Sequence, residues 1–257
     1  MKKITLYVSY IVAYVSHFFT SLFRRILLGG GVVVSLGENC LTDGLLSRHH
    51  MKTFTSPYSH GRSNIEYINA IEEDDYHYLL KKEYLRYEEC EGESVVRNKW
   101  YSLQTNMYDD SVMKGFEFTH HDVINNGNHI KKFKRRVKRM QGKYKKMYLF
   151  YHHRYCENTN EAQLLKDLCK LKVRYLQKND NVYVVMFTQI KVDTIKERKV
   201  VYIQKDGIHC FYFYTQQIWT GTDNDIFWAK VDDDLIAKMM NFVKKNKLDK
   251  GIQYLVL

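Results

Sequence analysis

The chain of 257 residues contains a single proline, Pro57. No proline-rich linker, low-complexity tract or internal repeat divides it, which argues against a repeat array or a string of tethered modules. The five cysteines, Cys40, Cys90, Cys156, Cys169 and Cys210, are widely spaced and odd in number. No CxxC pair occurs, so zinc-ribbon and thioredoxin-like readings fall away and a reducing compartment is the simpler inference. HExxH and His–Cys ligand spacings are also missing, so no metal and no cofactor is expected. Acidic residues are the minority, 29 against 40 Lys and Arg, for a formal charge of +11. Such a balance implies an anionic partner: a membrane surface, a nucleic acid or a phosphorylated substrate. No nucleic-acid recognition motif is present, and no nucleic-acid partner is expected.

What is present can build a sizeable core. Hydrophobic residues make up 45% of the chain and aromatics 14%, enough for one large domain. That domain is expected over residues 31–257, after an extension over 1–30. Ile4 to Phe23 carry no Lys, Arg, Asp or Glu, with Lys2-Lys3 before them and Arg24-Arg25 after. About 20 such residues match a membrane span. However, Thr5, Ser9, Ala13, Ser16 and Thr20 recur as a small or polar helical stripe, and Tyr7, Tyr10, Tyr14, Phe18 and Phe19 are of the headgroup-level type. An uncleaved anchor or in-plane interfacial helix is the first reading. A signal peptide without a clear cleavage site, and a helix packed on the domain, are the others. The expected location is cytoplasmic, peripheral to or anchored at the inner membrane.

The stretch Val32-Val33-Val34-Ser35-Leu36-Gly37-Glu38-Asn39-Cys40 organises the rest. Three β-branched residues in a row predict a short buried strand that Gly37 ends. Leu41, Leu45 and Leu46 follow at helical spacing. Cys40 therefore falls where a strand hands over to a helix. Exposed N–H groups there lower a thiol's pKa and can hold an oxyanion. The alternative is a buried, inert cysteine, the common fate of this residue.

Further along, Ile65, Ile68 and Ile71 predict a helix capped by Ser63 or Asn64, and Tyr76 to Tyr84 another. Glu88 to Glu93 read as an acidic turn, and Val95 to Phe118 are ambiguous. Phe116-Glu117-Phe118-Thr119-His120-His121-Asp122 offers a candidate base beside a candidate orienter, or simply solvated histidines with Asp122 capping a helix. Ile130, Phe133, Val137 and Met140 form the apolar stripe of a helix whose other positions are Lys and Arg. That helix is either a solvated surface element or a site for anionic lipid or a phosphorylated ligand. Lys146 to Tyr151 predict a buried strand ending in His152-His153-Arg154, at a position where charged groups point into an α/β cleft. A helix over Glu161–Leu171 follows, then strands over Val182–Phe187, Lys199–Ile203 and His209–Tyr214, the last two joined at Asp206-Gly207. A long helix ends near Lys245. The alternation predicts an α/β fold: a mostly parallel sheet flanked by helices.

In this order the motifs resemble a bacterial family of unknown function labelled putative papain-like cysteine peptidases. Ser35-Leu36-Gly37-Glu38-Asn39-Cys40 matches its Ser-Leu-Gly-x-x-Cys block. Ser56-Pro57-Tyr58 resembles a Ser-x-Pro-Phe-Asp-Trp block, with Ser59 and His60 where the aspartate and tryptophan stand. Phe118 to Asp122, Arg135 or Arg136 with Arg139, and Leu149 to Arg154 resemble its middle blocks. Trp219 to Gly221, with Asp225 and Trp228 beyond, resembles its last. The resemblance spans residues 32 to 245 and implies a Cys–His hydrolase or acyltransferase, with surface-polysaccharide biosynthesis as one setting. A strand–Gly–turn–Cys–helix start also looks like an SGNH-type esterase.

In the resulting expectation Cys40 attacks a carbonyl, His121 or His120 moves the proton, and Asp122 orients the imidazole. Gly37 and Asn39 frame the oxyanion. Ser56, Arg154, Trp219 and Asp225 are the candidate substrate-binding residues, for an anionic or acylated substrate. An anionic membrane surface, met through residues 4–25 and 130–140, is the candidate partner. Two other readings stay open. One is a non-catalytic membrane-associated binding module, and the other a glycosyltransferase-like enzyme in which Cys40 is structural.

Overall fold

A computed structural model describes residues 28–90, 92–102 and 107–257, together with Thr20. The expected N-terminal helix lies outside the described residues. The strands are β1 (Val32–Gly37), β2 (Leu85–Cys90), β3 (Glu93–Asn98), β4 (Phe116–Phe118), β5 (Met147–His152), β6 (Val182–Lys191), β7 (Lys199–Lys205), β8 (Ile208–Thr215) and β9 (Tyr254–Val256). The helices are α1 (Leu41–Arg48), α2 (Ile65–Glu73), α3 (Gly127–Met140), α4 (Glu161–Leu176), α5 (Asn224–Phe227) and α6 (Asp233–Lys244). The main sheet has the order β1-β5-β6-β8-β7-β9, parallel from β1 to β8, with β7 antiparallel to both its neighbours. The chain is thus an α/β protein with a mostly parallel sheet, as its pattern predicts.

Both faces of that sheet are covered, which is why its strands read as unbroken apolar runs. Val32, Val34 and Leu36 of β1 pack in one layer with Ile65, Ile68 and Ile71 of α2, Phe133 of α3 and Leu168 of α4. Val33 faces the other layer, with Leu41 and Leu45 of α1 and Ile236 and Met239 of α6.

Between α2 and α3 the structure departs from expectation. Tyr76–Tyr84 is not a helix: Asp75 and Tyr76 take positive φ values of 51° and 64°, which ends α2, and turns with one 3₁₀ segment over Lys82–Tyr84 follow. The ambiguous stretch supplies most of β3 and all of β4 to a small antiparallel sheet of order β2-β3-β4, and the acidic residues Glu88 and Glu89 lie on β2 rather than in a turn. The last helix is likewise interrupted. Ala229, at φ 53°, separates α5 from a 3₁₀ turn and α6. Among the described residues, no helix is long and apolar enough to cross a membrane.

Candidate active site

The turn after β1 is tight enough to require Gly37. A Cβ at that position would lie 2.8 Å from Thr42 Oγ1 and 3.1 Å from the Asn39 carbonyl oxygen. Glu38 then turns inward and is fully buried. Its Oε1 accepts from Tyr151 Oη at 2.6 Å and pairs with His153 Nδ1 at 2.8 Å, and its Oε2 accepts from the Arg154 N–H at 3.0 Å. The carboxylate therefore ties the end of β1 to the residues that leave β5. Asn39 Oδ1 accepts the Leu41 N–H at 3.0 Å and starts α1. Cys40 is the N-cap residue, and its carbonyl accepts from Gly44 N at 3.0 Å.

Cys40 is partly exposed and opens on a cavity of about 780 Å³. The cavity lies outside the carboxyl ends of the parallel strands, where α/β sheets place their ligands. Asn39 and Cys40 form one side. The small sheet supplies Cys90, Glu93, Val95 and Glu117, with Thr119 and His120 just after β4, and Thr220 to Thr222 and Trp228 complete the lining. Trp228 packs on α1 closely enough that a Cβ on Gly44 would meet its ring at 2.9 Å.

The electrostatics of Cys40 run against the sequence-based expectation. Burial pushes its thiol above the ordinary value, its own backbone N–H draws it down, Asp43 raises it and Arg62 lowers it. The net direction is upward, so desolvation outweighs the helix start.

The two adjacent histidines part company. His120 lines the cavity. His121 turns away: its Nε2 lies 3.4 Å from Arg136 Nη2, and its ring meets those of His129 and Phe133 edge-on at 5.1 Å and 5.2 Å. Burial first, then the Arg136 guanidinium, pushes His121 down to about 3. Asp122 does not orient either ring. Its Oδ1 accepts from Tyr87 Oη and from the backbone N–H groups of Ile124 and Asn125, which closes a turn; the residue that caps α3 is Asn126.

Arg154 reaches the cavity as expected for a residue at the end of β5. Its Nη1 donates to Asp109 Oδ1 at 3.0 Å and Ser111 Oγ at 2.8 Å, and its Nη2 to Thr220 Oγ1 at 3.3 Å. The other three substrate-binding candidates are placed differently. Ser56 is fully buried, with its Oγ donating to the Ser35 carbonyl at 2.7 Å. Trp219 is 1% exposed, its Nε1 donating to Asp232 Oδ2, and only the residues after it reach the cavity. Asp225 is exposed and paired with Lys230 at 2.8 Å.

Arg62 and Asp109, which line the cavity, and His60, which stands beside Asp43, are not among the sequence-based candidates. Arg62 lines the cavity and donates to Cys90 Sγ at 3.3 Å. His60 Nε2 stands 3.8 Å from Asp43 Oδ2, and its ring is 6.2 Å from that of His121. The signal for His60 was its replacement of the tryptophan in the Ser-x-Pro block; Arg62 and Asp109 carried no local signal. Among the described residues, no group of three or more His, Cys, Asp or Glu is placed to hold a metal ion.

No curated protein and no solved structure matches the chain. One family model does, over residues 31–190, which takes in Cys40, His120 and Arg154 and stops short of the Trp219 block. That match covers more than half of the chain, which belongs to the family described as "putative papain-like cysteine peptidase".

Proposed function

We propose that the chain is a thiol-dependent acyl-transfer enzyme in which Cys40 is the nucleophile and His120 the base. The observation that carries this reading is that Cys40 and His120 open on one cavity while His121 is turned into the protein. Because burial holds the resting thiol protonated, the proton leaves as the sulfur attacks rather than beforehand. His120 accepts it, and the Cys40 sulfur bonds to the carbonyl carbon. The resulting oxyanion is met by the Asn39 amide N–H, whose Oδ1 is already committed to α1, and by the N–H groups that open the helix. As the tetrahedral centre collapses, the leaving group departs with the proton held by His120, and a thioester remains on Cys40. Water completes a hydrolase cycle; a hydroxyl acceptor, such as that of a polysaccharide, completes a transferase cycle. Arg154, already set by Asp109, offers a charged wall to an anionic part of the substrate.

The test uses p-nitrophenyl acetate as an activated donor, with acylation of each cysteine read by peptide mass spectrometry. Cys40 is expected to acylate ahead of Cys156. His120→Ala should slow it by about a hundredfold, while His121→Ala leaves it within a few-fold. Acylation of Cys40 that is independent of His120, or no faster than that of Cys156, sinks the assignment.

A further inference from the structure

The two ends of the main sheet carry opposite charge. At the amino-terminal end lie the segments 141–146, 177–181, 205–207 and 245–253, which contain eight lysines and three aspartates. They form one surface. The Val32 N–H donates to the Lys146 carbonyl, Asp180 N to the Tyr144 carbonyl, Lys172 Nζ to the Gly207 carbonyl, and Gln204 N to the Gln253 carbonyl. Tyr148 Oη reaches Asn246 and Lys146 reaches Asp249, which draws in the loop after α6. Lys143, Lys145, Lys245 and Lys250 are exposed there. At the opposite end, segments 38–40, 153–160, 192–198 and 216–232 hold seven acidic residues against four Lys and Arg.

Helix α3 extends the basic surface. Lys131, Lys132, Lys134, Arg135 and Lys138 are exposed along it, and no Asp or Glu occurs from Val123 to Cys156. Its carboxyl end leads directly into 141–146, so the cations of its last turn continue those of the loop. The same end of the sheet receives the chain from the N-terminal segment. Leu28 accepts from Gly31 N one residue before β1. Immediately upstream in sequence stand Arg24 and Arg25, then the twenty-residue stretch Ile4 to Phe23 with no charged side chain.

We propose that the amino-terminal end of the sheet is a docking face for an anionic lipid surface, with the Cys40 cavity turned away from it. A membrane fits better than another polyanion because β1 begins at this end, and the sequence upstream of Leu28 holds an uncharged, aromatic-rich stretch between Lys2-Lys3 and Arg24-Arg25, the pairing by which interfacial segments and polybasic patches act together. Six-residue strands separate the two ends by about 20 Å. The cavity thus faces the aqueous phase, within reach of soluble donors or acceptors. This inference is independent of the chemistry assigned to Cys40.

The test compares binding of the full chain to vesicles of phosphatidylcholine alone and of phosphatidylcholine mixed with phosphatidylserine. The ratio of the two affinities is the readout. Wild type is expected to favour the anionic vesicles, less so as salt rises. The triple variant Lys143→Glu, Lys145→Glu, Lys250→Glu should lower the ratio at least about tenfold with an unchanged unfolding curve, and Lys230→Glu at the opposite end should not. Hydrogen exchange on the vesicles should protect 141–146 and 245–251 but not 219–225. An unchanged ratio in the triple variant, or protection at 219–225 instead, overturns the proposal. Displacement from vesicles by duplex DNA at equal phosphate concentration would reassign the face to nucleic acid.

Discussion

Glu38 Oε1 and His153 Nδ1 lie 2.8 Å apart where β1 and β5 end side by side, both fully out of solvent. Thr159 Oγ1 holds the other ring nitrogen at 2.7 Å. Neither residue lines the cavity, but Asn39 and Cys40 follow the one and Arg154 follows the other. The pair therefore fixes the spacing between the thiol and the guanidinium. Glu38→Ala leaves the Tyr151 hydroxyl, the His153 ring and the Arg154 N–H without their acceptor. A loss of about 3 kcal/mol or more is expected in urea unfolding. Glu38→Gln, which keeps an acceptor, should cost less. A loss in Glu38→Ala no larger than that of an ordinary surface substitution would show that the carboxylate is not the anchor.

The thiol of Cys40 responds to neighbours of opposite sign, and each can be removed. Asp43 raises it and Arg62 lowers it, beneath the larger upward push of burial. Alkylation of Cys40 by iodoacetamide should therefore reach half its limiting rate above the pH at which a free thiol does, about 8.5. Asp43→Asn should move that midpoint down and Arg62→Gln should move it up. A wild-type midpoint well below the free-thiol value would mean that a preformed thiolate, not burial, governs the site.

Much of the scaffold was legible because pattern and burial coincide in it. Val32 to Leu36 read as a strand since both its faces are covered, and Asp206-Gly207 read as a hairpin turn since both residues take positive φ, 50° and 74°. Helix α3 announced itself by an apolar stripe among cations. The small sheet did not, because β2 buries only Leu85 of its six residues and so loses the alternation that marks a half-buried strand. Tyr76 to Tyr84 has helical composition, but the left-handed backbone at Asp75 and Tyr76 is decided by packing, not by local propensity. In the candidate site, the placement of Cys40 and Arg154 on the cavity was legible because each follows the end of a parallel strand. Asp122, Ser56, Trp219 and Asp225 were read from proximity in sequence or from a motif. Their hydrogen bonds instead go to a turn, to β1, to Asp232 and to Lys230.

Acid should weaken the fold through histidines that are buried neutral. His209 on β8 is 3% exposed, with Nδ1 2.8 Å from Tyr202 Oη. Burial, reinforced by Lys172, pushes it down to about 4. The unfolded chain takes up the proton near 6.5, so the folded state binds fewer protons between those values. Stability is then complete above 6.5 and is lost as pH falls toward 4, by about 3 kcal/mol. His209→Gln cannot take up that proton and should flatten this part of a stability–pH curve measured by urea unfolding. An acid slope identical to wild type would place the loss elsewhere.

A second buried group works with the opposite sign. Glu72, at the end of α2, is buried under Tyr58, Tyr76 and Tyr175, and all three phenols donate to its Oε1. Burial raises its carboxyl above the ordinary value; the Tyr175, Tyr76 and Tyr58 hydroxyls, in that order, draw it back in part. The net shift is upward, so the folded state holds the proton more firmly than the unfolded chain. The contribution of Glu72 is full at acid pH and declines as pH rises through the carboxyl's raised value. Removing a phenol removes a donor to the ionised form. Tyr175→Phe should therefore cost about 1–3 kcal/mol at neutral pH and less at a pH where Glu72 is protonated. Glu72→Gln, whose one amide oxygen can stand where Oε1 accepts the three phenols, should remove the decline altogether. Urea unfolding of the three proteins at both ends of the range distinguishes this from simple packing loss. A Tyr175→Phe penalty that is the same at both pH values would mean that the hydroxyl serves volume and shape, not the charge of Glu72.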